Sequence, residues 1–286
     1  MSIEFIKQAA ALLLEDQLVA FPTETVYGLG ARLFSPKAIQ RIFEIKKRPQ
    51  DNPLIVHISS FDQIDRVVDD FPEKLAAHFW PGPLTLILPK KKYVPDAASA
   101  GLDKIGIRMP SHPLALELIE TVGEPLVAPS ANLSGRPSST TAEHVRDDFG
   151  DKIMVLEGGA SPQGIESTIL AFDPPTILRP GNISKEEIEA VIGQKVLTVY
   201  EKTSKPLAPG MKYKHYAPQA KIHLTETYPS ISCSSKQLFL ESIKPEELYA
   251  VLREADKKGI EEIIIYCSPA VKANAALFNR LFRAAE

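Results

Sequence analysis

The stretch Phe21-Pro-Thr-Glu-Thr-Val-Tyr-Gly-Leu-Gly30, with Lys46-Lys-Arg48 and Asn52-Pro-Leu-Ile-Val-His57 after it, gathers hydroxyl, carboxylate, amide, imidazole and cationic groups that an ordinary core does not need. The same kinds of group return at Ile107-Arg-Met-Pro110, Pro129-Ser-Ala-Asn-Leu-Ser-Gly135, Glu166-Ser-Thr168 and Leu178-Arg-Pro-Gly181. Arginine can grip a phosphate through two parallel N–H groups, lysine offers a mobile point charge, and serine and asparagine orient a substrate by hydrogen bonds. Such a set suits the handling of a nucleotide. Neither common phosphate loop is present. Gly159-Ala-Ser-Pro-Gln-Gly164 runs into Ile165-Glu166 where a P-loop has Lys-Ser/Thr, and Gly28-Leu-Gly30 lacks the third glycine of a dinucleotide fingerprint. Phosphates must then be held by separated side chains, for which Lys46, Arg48, Arg108, Arg136, Arg179, Lys212 and Lys214 are available.

Each segment taken alone also has a purely structural account. Lys46-Lys47-Arg48 can be a solvated helix end whose cations complement the macrodipole. Thr140-Thr-Ala-Glu143 reads as a capping box, with Thr140 as the cap of the helix through Val145 and its amides facing an anion. Arg108 can pair with Asp103 or Glu117, and Thr25 and Tyr27 can be turn residues. For any one of these residues alone the structural account is the stronger; the set in its order and spacing resembles a known family's pattern, and that resemblance implies the functional account.

The elements that must position these groups follow from periodicity. Ser35-Pro36 supplies a helix N-cap and first turn, Ile39, Ile42 and Phe43 share one face, and Pro49 ends the segment, so Lys46 and Arg48 fall at an exposed helix C-terminus. Strands are expected over 54–58, 84–88, 105–109, 126–128, 153–156, 168–172 and 176–178, several too continuously apolar to have a wet face. They imply one twisted sheet covered by helices, with the polar motifs at strand ends. Residues 194–218 are rich in proline, lysine and tyrosine and read as an extended linker. After it come a strand near 221–224, a helical region over 236–258, a strand over 262–266 and a helix over 271–285. The fold class is therefore α/β, a large domain over 1–193 and a small α/β domain over 219–286 that is too short to stand well alone and should dock on the first.

At 286 residues and a net charge of -3, the chain is an ordinary soluble composition with no general surface for coating nucleic acid. It contains no long uncharged apolar run, and Met1-Ser-Ile-Glu-Phe-Ile-Lys lacks the pattern of a signal peptide, so a cytoplasmic protein without membrane contact is expected. Cys233 and Cys267 form no C-x-x-C pair, and His57, His78, His112, His144, His215 and His223 show no ligand spacing, so no protein-held metal is expected.

Together the motif segments resemble the YrdC/Sua5 family, the threonylcarbamoyl-AMP synthases, and Pro209-Gly-Met-Lys-Tyr-Lys-His-Tyr-Ala-Pro218 is similar to the linker of its two-domain Sua5 branch. The resemblance implies a YrdC-like first domain, and a tail that is a shortened form of the Sua5 C-terminal domain. It implies a nucleotidyltransferase that makes L-threonylcarbamoyl-adenylate and pyrophosphate from L-threonine, bicarbonate and ATP. The adenylate would pass to a threonylcarbamoyl transferase complex that modifies adenosine 37 of tRNA, with direct RNA contact also open, and Mg2+ would enter with ATP. Lys46, Arg48, Ser130 and Asn132 match the family's basic and polar tetrad and are the catalytic candidates. Thr25, His57, Arg108, Ser130 and Ser167 are candidates for threonine and bicarbonate; Lys46, Arg48, Asn52, Asn132, Thr140, Arg179 and Tyr213 are those for ATP. The segment Lys212–Tyr216 is the candidate lid. Two other functions use the same groups: a double-stranded RNA-binding module, and a carbamoyl-adenylate enzyme with a different acceptor.

Overall fold

Side chains alternate across a strand, so a sheet can turn an apolar face to its core and a chemical face to a ligand. The central strands do this. The computed structural model describes residues 3–199, 215–228 and 234–286. In the first domain the strands are β1 (Val19–Phe21), β2 (Gly28–Arg32), β3 (Ile55–His57), β4 (Leu84–Pro89), β5 (Lys104–Arg108), β6 (Leu126–Val127), β7 (Met154–Val155), β8 (Thr168–Ala171), β9 (Thr176–Arg179) and β10 (Leu197–Thr198). They form one mixed sheet in the order β10-β9-β8-β4-β5-β3-β6-β2-β1-β7. Leu29, Val56, Leu86, Ile107, Val127 and Leu170 belong to the main core, with Ile39, Ile42 and Phe43 of the helix Pro36–Lys46. On the other face the outer parts are closed by smaller clusters. Val19, Phe21 and Leu126 pack with the helices Ile3–Leu14 and Pro113–Val122, and Ile55, Ile87, Ile169 and Leu178 pack together.

Two of these strands lie in a segment read as motif rather than strand. β1 pairs antiparallel with β2, and Gly28-Leu-Gly-Ala-Arg32 is extended between β1 and β6, with the Phe21 ring packed against Gly28 and Gly30. A Cβ on Gly30 would sit 2.8 Å from Cε1 of Phe21, so this glycine serves packing. Within the expected linker, Leu197 and Thr198 pair parallel with β9 and extend the sheet. The helix over residues 142–149 is capped one residue later than expected: Thr141, not Thr140, accepts from the His144 N–H at 3.2 Å. The residue three beyond that cap is His144, so no capping box forms there.

The C-terminal domain has a three-stranded parallel sheet of β11 (Lys221–Thr225), β12 (Gln237–Leu240) and β13 (Glu262–Tyr266), ordered β11-β13-β12. The start of the region expected to be helical is β12. Its Leu-Phe-Leu run suits either period, and pairing with β13 decides it; the helix begins only at Leu248, after Pro245. The last helix is two, Pro269–Ala273 and Ala275–Ala285, broken at Asn274, whose side chain accepts from the Leu277 N–H at 2.9 Å.

This small domain is docked, as its size requires. Val26 and Ile165 of the first domain are part of its hydrophobic cluster, with Leu248, Leu252, Ile263 and Leu281. Arg253 donates to the Pro137 carbonyl at 2.6 Å and forms an ion pair with Asp148 at 2.9 Å, whose side chain is fully buried. The remaining Asp148 contacts are Arg136 and the Leu133 N–H, at 2.8 and 2.9 Å. Removing one partner of a buried pair leaves the other's charge uncompensated. Arg253→Ala should lower the unfolding free energy by about 3 kcal/mol, read from urea denaturation, and a loss under 1 kcal/mol would show that the pair does not hold the domains.

Candidate active site

The chemical face of the sheet runs across its centre. Paired registers place Arg179 opposite Ile169, and His57 opposite Arg108, with Ile55 and Gly106 one step along on that face. Loops before β2, after β6 and before β8 bring Thr25, Ser130 and Ser167 above it. A cavity of about 570 Å3, counting its mouth, is lined by Thr23, Thr25, Arg48, His57, Arg108, Ser130, Glu166, Ser167, Arg179, His215 and Tyr216 among others.

Its cations are buried and held by named acceptors. Arg108 is ion-paired to Glu24 at 2.5 Å and donates to Thr25 Oγ1 at 2.8 Å and to the Gly82 carbonyl at 3.3 Å. Glu24 is fixed by the Ser111 N–H at 3.1 Å. Arg179 donates through Nε to the Ser167 carbonyl and through a second nitrogen to Ser167 Oγ, both at 3.1 Å. That hydroxyl also shares a hydrogen bond with Thr85 at 2.7 Å. Close under Ser167 lies Gly181, where a Cβ would meet the Thr168 nitrogen at 2.3 Å, so the Arg-Pro-Gly turn can approach only with glycine.

The helix Pro36–Lys46 ends in an unexpected way. Lys47 adopts φ +52, and this left-handed turn carries the chain inward instead of leaving it at an exposed end. Lys46 is 1% exposed and Arg48 9%. Lys46 Nζ donates to the Ser130 carbonyl at 2.6 Å and to that of Asn132, so it clamps the Ser130-x-Asn132 loop from below. Burial, with Arg48 nearby, holds its pKa well below that of an ordinary lysine. Arg48 donates to the Asn52 and Pro53 carbonyls at 3.3 and 2.9 Å, and burial pulls its pKa down to about 10. Asn52 and Asn132 are buried, each with an Oδ1 that has no protein partner among the described residues, while the Asn132 amide donates to Leu133 and Arg136 carbonyls. Thr140 is buried beside His144 Nδ1 at 3.3 Å.

Thr25, Arg48, His57, Arg108, Ser130, Ser167 and Arg179 of the sequence candidates therefore meet at one cavity. Lys46, Asn52, Asn132 and Thr140 are buried but are not among the residues that line it, and Tyr213, like Lys212 and Lys214, falls outside the described residues. Of the candidate lid, His215 and Tyr216 are described and line the cavity, and the next residue, Ala217, is tied to the Gly135 carbonyl at 2.9 Å. Glu24 and Glu166 were absent from the sequence-based set. Both stood inside the quoted motifs, and the signal was a lone carboxylate among recurring cations.

A family model described as "Telomere recombination", built on Sua5, YciO and YrdC proteins, matches residues 11–181, more than half of the chain. The chain belongs to the Sua5–YrdC family. A second model, "Threonylcarbamoyl-AMP synthase, C-terminal domain", matches residues 183–247. Among relatives, the threonylcarbamoyl-AMP synthase of Pyrococcus abyssi is 42% identical, the match covering 98% of this chain and 93% of that protein. That of Bacillus subtilis is 44% identical over 98% and 92%. The crystal structure of P. abyssi Sua5 complexed with L-threonine superposes with a TM-score of 0.91, at 39% identity over 98% of this chain and 94% of that one. Escherichia coli YciO, at 23% identity and a TM-score of 0.57, shares the fold over 64% of this chain. Both domains of this Sua5–YrdC chain thus have counterparts among its relatives.

Electrostatics in the cavity set a pH signature. His57 is pulled down to about 3 by burial and by Arg108, and its Nδ1 lies 3.1 Å from the Ile55 carbonyl, with the ring edge-on to Phe21 at 6.0 Å. His215 is likewise pulled down to about 3, by burial and by Arg48. An unfolded chain protonates both near pH 6.5, so stability is fully present above that pH and is lost as pH falls toward 3. Each histidine should contribute roughly 1.4 kcal/mol per pH unit between about pH 6 and 4. Urea titrations of wild type and His57→Gln over that range should show a shallower slope in the variant, and parallel lines would refute the buried neutral imidazole.

Proposed function

We propose that this Sua5–YrdC chain is an L-threonylcarbamoyladenylate synthase, making the adenylate and pyrophosphate from L-threonine, bicarbonate and ATP. The observation that carries this is the convergence of Arg48, Arg108 and Arg179, all buried, around the hydroxyls of Thr25, Ser130 and Ser167 in one cavity. The reaction needs such a site. Threonine's amine forms a carbamate, with loss of water if it takes up bicarbonate or of a proton if it takes up CO2; a carbamate oxygen then attacks the α-phosphorus of ATP, and the bond to the β-phosphate breaks as pyrophosphate leaves. The substrate supplies its own nucleophile, so the protein's work is to align three reactants and offset charge on the departing group. Closed over its substrates, such a cavity strengthens that electrostatic work and shields the labile adenylate from water.

Arg108, held by Glu24 with Thr25 as a second partner, is suited to threonine's carboxylate or to the carbamate, along with His57, Ser130 and Ser167. Arg48 and Arg179 are assigned to ATP phosphates. Asn52, Asn132, Thr140 and Tyr213 are assigned to the nucleotide as well, and Lys46 acts by fixing the Ser130-x-Asn132 loop. Mg2+ comes as part of the ATP substrate, carried by phosphate and water oxygens. The adenylate then serves a threonylcarbamoyl transferase complex acting on adenosine 37 of tRNA, in the cytoplasm; no helix among the described residues is long and apolar enough to cross a membrane.

Pyrophosphate release should require ATP, threonine and bicarbonate together. Release that persists without threonine would favour a carbamoyl-adenylate enzyme with another acceptor. Arg48→Ala should reduce turnover by a factor on the order of 10² to 10³. Since Arg48 is buried on two carbonyls, the change should also cost about 2 kcal/mol of stability, so kcat is to be compared at matched folded fraction. A folded variant with full turnover would remove Arg48 from the site.

A further inference from the structure

Glu166 is the meeting point of the two domains. It borders the cavity, is buried, and sits immediately before Ser167, to which Arg179 is bonded. Yet the groups that hold its carboxylate come largely from the C-terminal domain. Arg280 Nε, on the helix Ala275–Ala285, donates to Oε2 at 2.7 Å; the Tyr249 hydroxyl stands 2.9 and 3.1 Å from the two oxygens; Ser138 Oγ donates to Oε1 at 2.6 Å. The Arg280 side chain is completely enclosed, with its guanidinium 5.3 Å from the centre of the Tyr216 ring. Burial opposes ionisation of Glu166, but Arg280, Arg179 and Ser138 outweigh it and hold the carboxyl below the usual range.

Arg179 contributes to that shift, yet the partners to which it donates are Ser167 and the Tyr216 hydroxyl. Two arginines therefore act on one carboxylate, and the one bonded to it is Arg280. We propose that Arg280 is a positioning residue of the synthase site: by occupying Glu166 it leaves Arg179 on Ser167, with its charge available to an anionic substrate in the cavity. The inference rests on the synthase reading and deepens it. Without Arg280, Glu166 is left with two neutral hydroxyls, and a cation on the same cavity wall, bonded to the very next residue, is Arg179. Captured in that way, Arg179 is drawn off the cavity and the grip on ATP weakens, while the Arg108 side of the site is untouched.

The test uses the full-length chain. Arg280→Met should raise KM for ATP by about tenfold or more, the scale of one charge-assisted hydrogen bond, with KM for threonine changed by less than about twofold. Adding Glu166→Gln to Arg280→Met removes the competing charge and should return KM for ATP most of the way to the wild-type value. The Kd of a non-hydrolysable ATP analogue, measured by calorimetry, should follow the same order without any turnover. A contact that merely docks the domains would lower the active fraction and leave KM unaltered, and that result overturns the proposal. So does a double variant whose ATP affinity stays as weak as that of Arg280→Met. If Arg280→Met does not fold, the double variant is compared with Glu166→Gln alone. Equal affinities support the proposal, and a weaker double variant overturns it. Wild-type protein that binds the analogue but releases no threonine-dependent pyrophosphate defeats the synthase reading while leaving the calorimetric order to decide on Arg280.

Discussion

Burying cations without leaving any of them unpaired is the constraint under which this molecule is built. An isolated charge cannot remain ionised in a dry interior, so each buried cation here needs acceptors, and most of them are supplied by another part of the chain. Lys46 is met by carbonyls more than eighty residues away in sequence, Arg108 by Glu24 and Thr25, Arg179 by Ser167, and Arg280 by Glu166. Remove one of these meetings and a loop of the cavity loses its anchor. Fold and site are consequently one structure, with the cations serving as the pins of the loops they approach.

The same arrangement prepares the site for its chemistry. Groups already desolvated and already aimed need little reorganisation when charge develops on a phosphate. The price of that readiness is met by the opposite face of the sheet, where Val56, Leu86, Ile107, Val127 and Leu170 bury an apolar layer beneath the polar one. Phe21 contributes from the edge: its ring closes against Gly28 and Gly30 and meets His57, so an apolar group fixes the orientation of a polar one.

Much of this was legible in the sequence, unevenly and for physical reasons. Residues 84–88 and 262–266 announced strands because continuous apolar runs of that length have few alternatives. Gly28–Arg32 did not, since glycine, alanine and arginine carry no strand preference and it is pairing with β1 and β6 that makes them extended. The family segments named most of the cavity lining. They did not show that Lys46 and Arg48 turn inward, because the turn rests on a left-handed Lys47, and the carbonyls that make the burial of Lys46 possible come from a distant segment. Arg253 and Arg280 were invisible for a related reason. On an amphipathic helix a buried arginine reads like any solvated one until its carboxylate is known, and Asp148 and Glu166 lie in the other domain.

Glu166 and Arg280 are separated by 114 positions along the chain. A ribosome adding roughly 5 to 20 residues per second needs about 6 to 23 seconds to pass from one to the other. Throughout that interval the nascent first domain carries an acidic group whose counter-ion has not yet been made. The cavity can reach its final electrostatic form only when the helix that carries Arg280 has emerged, so synthesis of that helix is the event that matures the site.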